Sequence, residues 1–204
     1  MDTRERIIVE TGKLFVRYGI RSMTMDALAE EMRVSKRTIY EHFKDKEDLL
    51  LEVVRYHREK ETGEAHRIIE GCDSAIEAMF RIMKRSIQQM RQMNPLFLHD
   101  FQKYHAGVLE QLTGHDDIRD FRVTMKLLET GVRQGVFRKD IKLEIVNRTL
   151  HELFKLFGPD SSMTQDGFSR KELFDHIIVP YFRGISTQKG LELLEKHKSI
   201  LEQQ

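Results

Sequence analysis

Between Arg33 and Lys46 the chain places five cations, Arg33, Lys36, Arg37, Lys44 and Lys46, against two acids, Glu41 and Asp45. Among them stand the hydroxyls of Ser35, Thr38 and Tyr40 and the imidazole of His42. So many donors in one short run suit an extended array of acceptors, and a DNA phosphate backbone with base edges beside it is such an array. Lys36 and Arg37, adjacent at a helix start, are positioned for purine acceptors, and the planar fork of Arg37 can chelate the two acceptors of guanine. Thr38 suits a thymine methyl or a phosphate. Tyr40, His42 and Lys46 read as backbone clamps, joined by Thr24, Ser35 and the exposed N–H groups of the helix starts that these two residues cap. For Tyr40 and His42 partial core burial competes with a phosphate contact, so neither is assigned to base reading.

The other candidate chemistry is thinner. Met79, Phe80, Met83, Phe97, Phe101, Tyr104, Phe121 and Met125 form a set rich in methionine and aromatics, the composition of adaptable apolar cavities. A stripe at helical spacing is more often plain core, and each member is read first in that way. His99, His105 and His115 with Asp100, Asp116 and Asp117 match no compact metal-ligand spacing, so no metal is expected. Neither GxSxG, nor a P-loop, nor HExxH occurs, and Cys72 has no basic setting in the sequence. No catalytic residue and no cofactor is assigned, and an enzyme is not expected.

The elements that must hold these side chains follow from hydrophobic spacing. Ile7, Thr11, Leu14, Phe15 and Tyr18 make one stripe of an amphipathic helix stopped by Gly19. Thr24 caps a second, short helix ending near Met32, with Met23 stapled to Leu28. Ser35 caps a third, with Val34 stapled to Ile39, and Ile39 and Phe43 share its buried face. Burying Leu28, Ala29, Met32, Val34, Ile39 and Phe43 leaves Lys36, Arg37, Thr38, Tyr40 and His42 on exposed or flanking surface, and Ala29 lets the two helices cross closely. This is a helix-turn-helix, whose second helix can enter a major groove.

A fourth helix starts at Asp45, where Glu47 and Asp48 complement the helix dipole, and breaks near Gly71. Downstream stripes run from Ala75 to Met90, from Ile118 to Val132 and from Val146 to Phe157, with a broken helical segment between Pro95 and Gly114. Leu173, Phe174, Ile177, Ile178, Tyr181, Phe182 and Ile185 cover a stripe too wide for one neighbour, which predicts burial on two sides, by the chain's own core and by a second subunit. Pro180 should kink that helix. One more amphipathic helix, carried by Leu191, Leu194 and Leu201, begins at Thr187.

The expectation is therefore an all-α chain of 204 residues. A three-helix helix-turn-helix DNA-binding domain at 1–47 is joined by the long fourth helix to a helical ligand-binding and dimerisation domain at 48–204. Net charge is +1, which argues against indiscriminate nucleic-acid binding and for a local cationic face. No apolar window is long enough to span a membrane, and the opening MDTRERIIVE lacks the apolar run of a signal peptide, so no membrane association and a cytoplasmic location are expected. One cysteine allows no internal disulfide. The alternative is a helical protein-interaction module, without sequence-specific DNA binding, whose basic turn docks an acidic partner.

The run GIRSMTMDALAEEMRVSKRTIYEHFKDKEDLL resembles the DNA-binding signature of the TetR/AcrR-type transcriptional regulators. The likeness rests on a Thr before the second helix, Leu28-Ala29, Val34-Ser35, Ile39-Tyr40, His42-Phe43 and Lys46, and covers about Arg4 to Leu51. It implies an all-helical homodimer, two heads on a near-palindromic operator, and a C-terminal domain binding an unknown small-molecule effector, apolar or amphipathic, that releases the DNA. The family pairs subunits through its last two long helices, which match Ile141–Phe157 and Phe168–Gly184 here. Arg33 departs from the glycine usual in the family's turn. A left-handed backbone there costs an arginine on the order of 1 kcal/mol relative to glycine, and Arg33 is expected to tolerate it and add a phosphate contact.

Overall fold

A computed structural model describes residues 1–92, 94–105, 107–108, 121–158 and 161–197. Ile118, at the head of one expected stripe, lies outside these residues, as do His115, Asp116, Asp117 and Leu201. The described residues are helical apart from their connections and one isolated antiparallel bridge, Phe137 to Ser186. They divide into two compact units, Met1–Glu61 with Gln92–Ile118, and Thr62–Arg91 with Arg119–Gln204. None of their helices is long and apolar enough to cross a membrane.

The first unit is built on α1 (Thr3–Tyr18), α2 (Met25–Met32), α3 (Lys36–Tyr40), the first part of α4 (Lys46–Glu70) and α6 (Pro95–Tyr104). Its core gathers Phe15, Ile20, Leu28, Ile39, Leu49 and Leu50, all essentially inaccessible, with Phe43 at 1% exposure. Each helix start is capped as its sequence dictates. Asp2 accepts from Glu5 N, Thr24 from Ala27 N at 3.1 Å, and Ser35 from Thr38 N at 3.0 Å; each such cap is worth about 1 kcal/mol. Asp45 accepts from Asp48 N at the start of α4.

This unit reaches beyond 1–47, the bounds that the sequence reading gives the DNA-binding domain. Leu49, Leu50, Val53 and Val54 belong to its core, and so do Phe97 and Phe101 of α6. Helix α6 is fastened to the chain around Gly19. Asn94 donates its N–H to Val16 O at 3.1 Å and its side-chain amide to Arg17 O at 2.9 Å. Arg21 N donates to the buried Asp100 carboxylate at 2.8 Å, and the Arg21 guanidinium lies 4.5 Å over the Tyr104 ring. Gly19 has φ 84°, and a β-carbon on it would meet Asp100 Oδ2 and Leu96 Cβ at 3.3 Å.

The second unit holds the remainder of α4, α5 (Ala75–Gln92), α7 (Phe121–Arg133), α8 (Leu143–Lys155), the single turn α9 (Ser162–Gln165), α10 (Arg170–Leu173), α11 (Val179–Ile185) and α12 (Gln188–His197). Its core is aromatic at the centre, with Phe80 edge-on to Phe174 and to Phe182, ring centroids 5.6 and 5.3 Å apart, an arrangement that adds to plain area burial. Between α10 and α11 the chain forms a π-helical turn, Phe174–Ile178. The sequence predicts a kink at Pro180; the structure widens the helix just before it. Val179 N–H reaches back five residues to Phe174 O, and the widened turn makes room for a ring that lacks a donor and would otherwise press on the carbonyl four residues earlier.

Candidate nucleic-acid interface

The turn between α2 and α3 is the first thing the local sequence must solve. Arg33 sits at φ 55°, ψ 46°, the left-handed conformation expected of it, and is the one non-glycine residue with positive φ among the described residues. Its N–H bonds to Glu30 O and that of Val34 to Ala29 O, both at 3.0 Å. That pair of bonds satisfies carbonyls at the end of α2 and turns the chain into α3. Arg6 of α1 adds a bond to Met32 O at 3.0 Å. The two short helices are thereby locked at both ends of their connection.

With Ile39 and Phe43 buried, the polar side of α3 faces solvent. Arg33, Ser35, Lys36, Arg37, Tyr40 and His42 are exposed, Thr24 is exposed at the start of α2, and Thr38 is half-buried with its hydroxyl 2.7 Å from that of Ser35. Tyr40 is 47% exposed, so neither it nor His42 belongs to the core. The face is cationic but not free of acids. Lys36 Nζ lies 2.8 and 2.9 Å from the two carboxylate oxygens of Asp26 on α2, and hydrogen bonding to that carboxylate holds the ammonium above the usual lysine range. Arg37 Nε lies 3.1 Å from Glu41 Oε1, one helical turn on. Sequence reasoning missed both partners; the Arg37–Glu41 spacing of four was a visible signal, whereas Asp26 and Lys36 meet only once α2 and α3 are folded.

Lys46 differs from the rest of the set. Its ammonium donates to Ile20 O and lies 5.8 Å from the Phe15 ring centroid. Burial pushes its pKa below the ordinary lysine value, against the pull of the Asp100 carboxylate. In this structure Lys46 ties α4 to the start of the α1–α2 connection.

The apolar set singled out as cavity-lining is not brought together as one group. Phe97 and Phe101 stack on each other in the core of the first unit, and Tyr104 is 43% exposed beside Arg21. Met79 and Phe80 lie in the core of the second unit with Met83 packed against it, while Phe121 and Met125 on α7 are half-buried. The reason is that helical spacing reports which residues are inside, not which core they enter.

Helices α7 and α8 also bury a polar cluster. Thr124 Oγ1 lies 2.6 Å from Asn147 Oδ1 and 2.7 Å from His151 Nε2, and the Phe121 ring stacks on the imidazole at 3.8 Å. Asn147 Nδ2 donates to Phe121 O at 2.9 Å, which leaves its Oδ1 to accept the Thr124 proton. His151 Nε2 must then carry the proton it donates to Thr124, and the chain of bonds has one consistent direction.

Residues 7–53 match the family model for bacterial regulatory proteins, tetR family. The HTH-type transcriptional repressor KstR2 of Rhodococcus jostii (strain RHA1) is 25% identical over 179 residues, covering 83% of this chain and 87% of that protein. A TetR family transcriptional regulator from Cytophaga hutchinsonii shares the fold with a TM-score of 0.71 at 16% identity, over 91% of this chain and 96% of that one. A gamma-butyrolactone receptor (ArpA-like protein) gives 0.64 at 21% identity, over 98% and 96%.

Proposed function

We propose, on the premise that the chain is a TetR-type transcriptional regulator, that it is a homodimeric repressor which binds a near-palindromic operator and leaves it when a small apolar or amphipathic effector occupies the second unit. One observation carries the DNA half of this reading. The first turn of α3 presents Lys36 and Arg37 to solvent while Ile39 and Phe43, at 0% and 1% exposure, fix the helix from behind. Lys36 and Arg37 read base edges; Thr24, Arg33, Ser35, Thr38, Tyr40 and His42 hold the backbone. Lys46 joins them by exchanging the Ile20 carbonyl for a phosphate.

Dimerisation through Ile141–Phe157 and Phe168–Gly184 is supported by apolar side chains left in solvent on these segments, Ile145 at 60% and Phe168 at 49% exposure, with Ile177 and Tyr181 half-buried. A two-fold dimer matches half-sites about 34–36 Å apart, and an effector that favours another head separation must weaken DNA binding reciprocally. That a gamma-butyrolactone receptor shares this fold supports a small-molecule effector, and Met83, Phe121 and Met125, being half-buried, are the members of the apolar set best placed to meet it. Helix α4 is the lever.

The test is selection of bound sites from random duplex DNA, followed by mobility shift of the recovered sequence at two salt concentrations. Lys36→Ala and Arg37→Ala each weaken binding and relax the preference at one position, while a steep salt dependence marks the phosphate contacts. If no preferred sequence emerges, or if both variants keep affinity and preference, α3 is not the reading helix.

A further inference from the structure

Both cations nominated as base readers already have partners. Lys36 sits between the two oxygens of Asp26, and Arg37 against Glu41. These four side chains sum to zero charge on the face that meets DNA, and all four are well exposed, Asp26 at 71%, Lys36 at 48%, Arg37 at 88% and Glu41 at 56%. Ion pairs so open to water are individually weak. A better-placed acceptor can therefore displace them, and a poorly placed one cannot.

We infer that Asp26 and Glu41 are positioning residues that withhold Lys36 and Arg37 from non-cognate phosphates and release them only to matching base edges; the inference rests on the reading of α3 given above. On a random duplex a cation that turns toward phosphate must abandon its carboxylate, and that carboxylate then faces the phosphates uncompensated. On the cognate site the base acceptors lie where the cations already point. A freed carboxylate can itself accept from a cytosine amino group in the groove, so the same acids that repel the backbone can be satisfied by sequence. Asp26 bridges α2 to α3 and also fixes the direction of Lys36, a constraint that a lone surface lysine lacks.

The experiment compares wild type, Asp26→Asn, Glu41→Gln and the double variant for affinity to the selected duplex and to a random-sequence duplex across a salt series. Each freed cation adds about one phosphate contact on random DNA. That steepens the log–log salt slope by about 0.9 and tightens binding about eightfold at 0.1 M salt. Binding to the selected duplex does not gain in proportion, so the specific-to-random ratio falls. Equal gains on both duplexes, or no gain on random DNA, overturn the inference. Loss of the preference in Lys36→Ala and Arg37→Ala is measured alongside; if the ratio there is unchanged, it is the reading of α3 that fails instead. Should Asp26→Asn melt early through its place in the first turn of α2, Glu41→Gln, at the open end of α3, carries the same test with its own predicted slope.

Discussion

Arg33 is the position where stability and DNA contact should respond in opposite directions. Its backbone is left-handed, at φ 55° and ψ 46°, a conformation that costs a residue with a β-carbon roughly 1–2 kcal/mol and glycine almost nothing. Arg33→Gly removes that cost. It also loosens the unfolded chain, which takes back roughly 0.4–1 kcal/mol, so the net is a stabilisation of about 0.5–1 kcal/mol. The backbone bonds that define the turn, from Arg33 N to Glu30 O and Val34 N to Ala29 O, involve no side-chain atom and survive. Arg33→Ala keeps the strain and should be close to neutral. Urea unfolding with an unchanged slope measures both, and the expected order of midpoints is glycine above alanine and wild type. A glycine variant no more stable than the alanine variant would show that the turn does not hold the strain assigned to it. The same glycine variant should bind operator DNA more weakly, about eightfold at 0.1 M salt if one phosphate contact is lost, with the salt slope shallower by about 0.9.

Four further outcomes follow from the second unit. In Gly190→Ala the new β-carbon would stand 2.0 Å from Val136 O, the acceptor for Thr187 N in the bridge region; relief requires moving backbone, and a loss of at least about 2 kcal/mol, roughly 4–8 °C in Tm, is expected in a thermal melt. Thr124→Val takes a half-buried hydroxyl partner from the buried Asn147 and His151 at similar volume, and should cost about 1–3 kcal/mol by chemical denaturation. Glu172 is held below the ordinary glutamate range by the Ser169 hydroxyl and backbone N–H of its capping box. Its contribution is complete above the ordinary glutamate pKa and fades as pH falls through the lower folded value, so Glu172→Gln should lower stability most at neutral pH and least in acid, flattening the acid limb of a stability–pH curve. Ile145→Glu should shift sedimentation from dimer toward monomer with helicity intact; an unchanged dimer would remove α8 from the proposed interface.

How far the sequence carried can be judged residue by residue. The caps at Thr24 and Ser35 and the stop at Gly19 are local effects, set by residues within four positions of the backbone they serve, and each is legible without the fold; the left-handed turn at Arg33 was legible only through the family resemblance, where glycine is usual. The placement of Phe97 and Phe101 is not. Their spacing marks them as buried, but only the packing of α6 against α1 assigns them to the core around Phe15. Pro180 is intermediate: the missing donor is certain from the sequence, while the widened turn Phe174–Ile178 just before it appears only in the fold. The polar cluster left a trace that went unread. Asn147 and His151, four apart, alternate with Val146 and Leu150 on the buried side of α8, and polar residues at that spacing inside an apolar stripe call for a partner on a neighbouring helix.

On the proposed reading, α3 separates packing from DNA contact by face. Ile39 and Phe43 hold the helix and are inaccessible to DNA; Lys36 and Arg37 are accessible and bear little of the packing, since their ion pairs are exposed. Substitutions on the outer face should therefore change affinity and selectivity at nearly constant stability, and substitutions on the inner face should abolish both together. A variant of Lys36 or Arg37 that lost DNA binding only in proportion to lost folding would contradict that division. Arg33 spans it, because a single residue there supplies both the backbone strain of the turn and a charge at its edge, as do Thr24 and Ser35, whose hydroxyls cap the helices they would fasten to phosphate.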